Sequence, residues 1–252
     1  SKKYIFPEKC LCGYKTRKEI NVVTKKEDAV RRCLRGYDCD YTAKEKLKHI
    51  VSKEAFNIDG LGKKVIEQLW NLKIIKFPAD IFNLDYNQIL KLEGWGSLSI
   101  QNLKNAVKKA SSIFLDKFIY SVGIRHIGQE NAKIIGNFFI SIDNFSNLFN
   151  PLKREKLLNN LNELDGIGNT QILSINNFFA NQKNVEVIKA LIGVLQIKNF
   201  KIINKKGKFS SKSLMFTGGF EKMSRSEAKS LAEEHGGKVL GNISKKLDIL
   251  VV

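Results

Sequence analysis

The chain has 252 residues, 43% hydrophobic and 27% charged, which excludes an intrinsically disordered chain and allows two or three small folded domains. No apolar run approaches the roughly 20 residues of a membrane span, and residues 1–7 lack the apolar stretch of a secretory signal. The formal net charge of +18 points to a polyanionic partner, nucleic acid or an anionic membrane surface, yet the cations are 36 Lys against 7 Arg, an excess that A/T-rich codons can supply by themselves.

Four cysteines lie near the start of the chain: Cys10, Cys12, Cys33 and Cys39. Two close pairs separated by a loop suit tetrahedral zinc, because each pair supplies two thiolates from one turn. Four thiolates close the coordination sphere, so such a metal is structural. Cys10-Leu11-Cys12 leaves one residue between the pair, where roughly two to four is usual. Arg31, Arg32 and Arg35 flank the second pair and can stabilise thiolate charge. The other reading is reduced bystander thiols in a knuckle that folds without metal. His49 lies outside the cluster, on an ordinary helical pattern.

Next comes a repeated Gly-apolar-Gly element. Its copies are Ile58-Asp59-Gly60-Leu61-Gly62, Leu92-Glu93-Gly94-Trp95-Gly96 and Leu164-Asp165-Gly166-Ile167-Gly168. A variant, Val122-Gly123-Ile124-Arg125-His126-Ile127-Gly128, reads as a third copy with two inserted residues. Each is flanked by apolar residues at helical spacing. The middle apolar residue can pin a turn to the core, and the glycines permit a tight turn with no side chain in the way. The unpaired N–H groups opening the following helix then form an anion site that needs no particular base. Four such elements between helices resemble a tandem helix-hairpin-helix domain. The residues singled out for phosphate contact are Gly60, Gly62, Lys63, Lys64, Gly94, Gly96, Arg125, Gly128, Gly166 and Gly168.

Beyond a polar, basic stretch at 205–213, Leu214-Met215-Phe216 reads as a strand followed by the turn Thr217-Gly218-Gly219. A helix capped by Ser224, with Glu227 three residues on, runs to Gly236-Gly237. Lys238-Val239-Leu240 is a second strand, and Ile249 to Val252 a buried third. The Thr-Gly turn, Gly-Gly-Lys-Val and Ser244-Lys245-Lys246-Leu247-Asp248 resemble the first half of a BRCT domain. In a complete domain of that kind, Thr217, Gly218 and a lysine such as Lys246 could hold a phosphate. The fourth strand and last two helices are absent, so the expectation is a partial domain cut from a larger protein.

Taken in order, with Phe6-Pro7 before the cysteines, Leu47-Lys48-His49-Ile50-Val51-Ser52 after them and Pro78-Ala79-Asp80-Ile81-Phe82 further on, these segments resemble the C-terminal part of bacterial NAD-dependent DNA ligases over essentially the whole chain. The resemblance implies a mainly α architecture: a small four-cysteine zinc knuckle (1–45), a tandem helix-hairpin-helix DNA-binding domain (46–204) and a truncated α/β BRCT-like segment (205–252). It implies structural zinc, nicked double-stranded DNA and an N-terminal ligase half, in cis or trans, as partners. It also implies a monomer in the cytoplasm, associated with the nucleoid, with no membrane, acting in replication and repair. NAD would enter only through the N-terminal half, whose nucleophilic lysine sits in Lys-x-Asp-Gly. Here Asn57-Ile58-Asp59-Gly60 has Asn in that place. No residue is assigned a catalytic role, and the segment alone is expected to be non-catalytic. Two further readings stand beside this one: a stand-alone, sequence-independent duplex or junction binder, and an interaction module that recruits a repair protein through its BRCT-like end.

Overall fold

The computed structural model describes residues 7–20, 25–201, 207–221, 223–243 and 247–252. The chain forms two compact units, 1–200 and 201–252. It is mainly helical, with small sheets.

The first unit begins with a loop carrying Cys10 and Cys12. A ribbon of two antiparallel strands follows, β1 (Arg17–Ile20) and β2 (Glu27–Arg32), with Arg17 opposite Arg32 and Lys18 opposite Arg31. Arg31 holds the loop to the ribbon: its Nε donates to the Thr16 hydroxyl and its Nη2 to the Thr16 carbonyl.

Helical pairs then succeed one another: α1 (Asp40–Val51) and α2 (Lys63–Asn71); α3 (Tyr86–Leu90) and α4 (Ser97–Ala110). Strand β3 (Ser112–Phe114) leads into α5 (Leu115–Ser121) and α6 (Gln129–Phe139). After α7 (Ile142–Ser146) come α8 (Pro151–Asn162), α9 (Asn169–Ala180), α10 (Gln182–Gly193) and β4 (Gln196–Lys198), which pairs in parallel with β3. The apolar stripes of these helices converge on one continuous core, with Leu47, Ile66, Leu103, Phe118, Phe139, Phe145 and Leu161 fully buried. Each such side chain contributes roughly 1.5–3 kcal/mol by leaving water. Phe118, Phe139, Phe145 and Phe179 meet edge to face in its second half.

Helices α3, α7, α8 and α10 open on Asp85, Ser141, Asn150 and Asn181, whose side-chain oxygens accept first-turn amides. Helices α2, α4, α6 and α9 open on Gly62, Gly96, Gly128 and Gly168. That division separates the second helix of each hairpin, opened by glycine, from α3, α7, α8 and α10, which precede or link the hairpins.

The second unit holds a parallel three-stranded sheet, ordered β6 (Lys238–Val239), β5 (Ser213–Phe216), β7 (Ile249–Val251), with α11 (Arg225–Glu234) packed beside it. Ser224 caps α11 and Glu227 returns the bond to its amide, the box expected from the sequence. The last strand is not buried throughout, contrary to what its apolar run predicts. Only Ile249 and Val251 pack on the small core of Leu214, Phe216, Ala228 and Ala232, while Leu250 is exposed, because a strand covered on one face alternates. Lys246, the lysine considered for a phosphate, lies outside the described residues, as do Phe6 before the cysteines and Lys205 at the start of the basic stretch.

Candidate nucleic-acid interface and metal centre

The four hairpin turns share one geometry. Leu61 N–H donates to Ile58 C=O (3.3 Å), Trp95 to Leu92 (3.2 Å), Ile127 to Ile124 (3.1 Å) and Ile167 to Leu164 (3.1 Å). The third residue of each turn has positive φ: Gly60 (89°), Gly94 (84°), His126 (61°) and Gly166 (89°). This corrects the reading of the third copy as carrying an insertion. The equivalent segment is Ile124-Arg125-His126-Ile127-Gly128, with His126 in the place of the first glycine. Gly123 belongs to another contact, described below. Alignment on the apolar pair, three residues apart, finds the match; alignment on the glycines misses it.

The last glycine of each turn caps the following helix in extended backbone. All four are exposed. A Cβ built on Gly62, Gly96 or Gly128 would meet nothing within 4 Å, and on Gly168 only Gln171 Oε1 at 3.5 Å. Neither backbone conformation nor packing inside the protein demands glycine there. The open space lies on the outside, where first-turn amides point.

The four sites differ in their own hydrogen bonds. Gly96 N–H donates to Ser99 Oγ (2.9 Å) and Gly168 N–H to Gln171 Oε1 (3.2 Å). The corresponding residue after Gly62 is Val65, which cannot accept. After Gly128 it is Asn131, whose Nδ2 donates to the Gly166 carbonyl (2.8 Å). Lys63 and Lys64 are exposed in the first turn of α2. The first and third sites therefore keep the capping amide clear of a side-chain acceptor, and the first adds two cations.

The turns are held by neighbouring hairpins. A Cβ on Gly60 would sit 3.6 Å from Leu103 of α4, and one on Gly166 would run into Ile134 of α6. The first hairpin leans on the second, and the fourth on the third. Arg125 is placed differently from its sequence expectation as a phosphate-facing cation. Its Nη2 lies 2.8 Å from Asp28 Oδ2, and its Nη1 pairs with Glu19. Its charge is committed to the ribbon β1–β2.

At the ribbon's end the four sulfurs come together. All four Sγ atoms lie within 4.8 Å of one another, and Cys10–Cys39 and Cys12–Cys33 are each 3.7 Å apart. A tetrahedron with metal–sulfur bonds of about 2.3 Å has edges of about 3.8 Å, so the donor set fits a metal of that size. The short spacing is absorbed by a turn in which Gly13 N–H donates to Cys10 C=O (2.8 Å) and Gly13 takes φ of 81°. Cys39 caps α1. Burial raises its thiol, but hydrogen bonds from Thr42, Cys12 and Cys10 outweigh this and bring it down to about 6. Burial pushes Cys33 up to about 12. Four clustered thiols cannot all ionise without a cation between them.

Comparison with known proteins agrees with this geometry. Residues 117–188 match the helix-hairpin-helix motif family, and residues 204–252 match the BRCA1 C Terminus (BRCT) domain family. The chain is 50% identical over its whole length to a DNA ligase of Pelagibacter ubique, of which it spans 37%. It is 39% identical over 99% of its length to a DNA ligase of Parvibaculum lavamentivorans, again spanning 37%. A DNA ligase of Rickettsia bellii is 37% identical over 89% of the chain, which spans 34% of it.

Proposed function

We propose that the chain is the C-terminal, DNA-binding part of an NAD-dependent DNA ligase, and that it holds nicked duplex in place for joining by a catalytic half carried elsewhere. The observation that supports this most directly is the fourfold recurrence of an exposed capping glycine at the start of a helix, three of the four with open space where a side chain would stand. Helix N-termini attract phosphate through free amides and the helix dipole. Several such sites on one core can hold the backbone of a duplex without reading its sequence. Ends held in register react through proximity and orientation, which is the contribution a non-catalytic segment can make.

The four cysteines fit structural zinc, which would stabilise the loop around Cys10 and Cys12 and the ribbon β1–β2. Lys63, Lys64, Gly62 and Gly128 form the strongest phosphate contacts, because the two capping amides are free of side-chain acceptors and the two lysines add charge beside the first. Gly96 and Gly168 contribute less. The remaining lysine excess supplies a diffuse attractive field.

The test is binding of the purified chain to labelled nicked and intact duplexes of two unrelated sequences over a salt series. Affinity should be indifferent to sequence and fall steeply as salt rises, with a log–log slope set by the phosphates neutralised. Affinity that does not change with salt would overturn the reading.

A further inference from the structure

We propose that Arg125 is a latch through which metal binding at the four cysteines and phosphate binding at the third hairpin strengthen each other. The inference rests on the functional reading above and adds a coupling between its two sites.

Three observations lead to it. The first is a continuous polar connection. Cys33 follows Arg32, the last residue of β2. Arg32 Nη2 lies 3.3 Å from Asp28 Oδ2, and the same oxygen takes Arg125 Nη2 at 2.8 Å. Arg125 also pairs with Glu19 of β1. Both strands of the ribbon thus hold one residue of the third turn.

The second concerns the ribbon. Among the described residues, none from 17 to 32 belongs to a buried hydrophobic cluster. A lone two-stranded ribbon is marginal in water. What fixes it is the cysteine cluster at its end and the arginines along it. Removal of metal therefore leaves Asp28 and Glu19 without a fixed position.

The third concerns the turn. His126 occupies φ of 61° where the other three hairpins have glycine. A side chain in that region carries a conformational cost and persists where surroundings over-determine it. Arg125 is the adjacent residue, and its two ion pairs supply that restraint. Two residues beyond His126, Gly128 presents the capping amide. The third hairpin thus depends on the ribbon for its shape, whereas the glycine-bearing first hairpin does not. Coupling of this kind is reciprocal.

The experiment uses the full chain loaded with zinc, a labelled nicked duplex, and a coloured chelator that reports metal retention. In the unsubstituted protein, chelation should weaken DNA binding about ten-fold, and DNA should raise the equilibrium affinity for zinc, read by competition with the chelator, by a similar factor. Arg125→Gln, loaded with zinc, should bind DNA about as weakly as the metal-free protein, and chelation should then change its affinity less than about two-fold. Asp28→Asn should reproduce the loss from the other side. Adding His126→Gly to Arg125→Gln should restore most of the DNA affinity, since glycine needs no restraint; a change that merely removed a cation would not be rescued. Gly62→Val should weaken DNA binding while leaving the ten-fold response to chelation. If Arg125→Gln keeps the full response, or if metal and DNA ignore each other in the unsubstituted protein, the latch is refuted while the functional reading stands. If the unsubstituted protein shows no salt-dependent DNA binding, both fall together.

Discussion

His49 Nε2 donates to the Tyr120 carbonyl at 3.0 Å, and the two rings meet edge to face at 5.1 Å. His49 lies on α1 and Tyr120 on α5, so the bond joins the first hairpin to the third. Gly123 completes the joint, with φ of 70° and a Cβ position 3.1 Å from His49 Cδ2. His49→Leu should cost about 0.5–1.5 kcal/mol through the loss of one hydrogen bond, since the Tyr120 carbonyl keeps the Gly123 amide at 3.1 Å. Gly123→Ala should cost about 1–2 kcal/mol through strain and crowding. Denaturant unfolding measures both. Unchanged stability in both variants would mean the two halves of the helical unit are not joined here.

The two glycines of the first turn should separate cleanly under substitution. Gly60→Ala places a side chain at φ of 89° beside Leu103 and should destabilise the fold by about 1–2 kcal/mol. Gly62→Ala meets nothing in the protein and should cost less than about 1 kcal/mol, the difference between glycine and alanine as a cap. Yet Gly62→Ala should weaken duplex binding several-fold, because its methyl group stands where a phosphate oxygen would approach. Thermal melting and fluorescence anisotropy on the same preparations give the two readouts. A Gly62→Ala protein that melts and binds as before would show the first capping glycine to be free of ligand.

Much of this was legible in the sequence because it is local. The Gly-apolar-Gly spacing and the Ser224–Glu227 box each need only a few consecutive residues, and each reappears in the structure; the four cysteines also come together, with the shortest approaches between the two sequence pairs, Cys10 to Cys39 and Cys12 to Cys33. In the third turn glycine is not the anchor: the features all four turns share are an apolar pair, here Ile124 and Ile127, and the sign of φ between them, which His126 also satisfies. The pattern offers Arg125 as a DNA contact, because its partners Asp28 and Glu19 are about a hundred positions away in the chain, and pairing at that distance is a property of the fold. The same holds for His49, an ordinary helical residue by pattern and a cross-hairpin donor in fact.

In the second unit, Asp248 ties the start of β7 to the start of β5. Its carboxylate accepts the Ser213 amide and hydroxyl, each at 2.7 Å. The amide bond, with help from the hydroxyl, holds the carboxyl below its ordinary value of 3.8. A carboxyl lowered in the folded state stabilises fully above its unfolded value and loses that contribution as pH falls through the folded one. Protection of the Thr217 amide, which donates to the Val251 carbonyl, against hydrogen exchange should therefore be constant from neutral pH to about 5, after allowing for intrinsic rates, and decline below about 4. Asp248→Asn should lower protection at neutral pH and flatten the decline. An acid limb that survives unchanged in Asp248→Asn would assign it to another group.

Removal of one sulfur tests the metal centre without disturbing the helices. Cys12→Ser leaves the Gly13 turn intact, since that turn is closed by backbone groups, but deprives Cys33 of its neighbour at 3.7 Å. Hydroxyl oxygen is a far weaker ligand than thiolate for zinc. Elemental analysis should fall from about one zinc per chain to well below it, by the stoichiometry of a closed four-thiolate site. Far-ultraviolet ellipticity should stay nearly unchanged, because the main helical core draws no side chain from the described residues before position 33. What should change is local: protease sensitivity within residues 7–35 should rise sharply, as a ribbon with no buried cluster of its own loses its end restraint. Zinc near zero in the unsubstituted protein, with the same protease pattern in both, would identify the cysteines as bystander thiols.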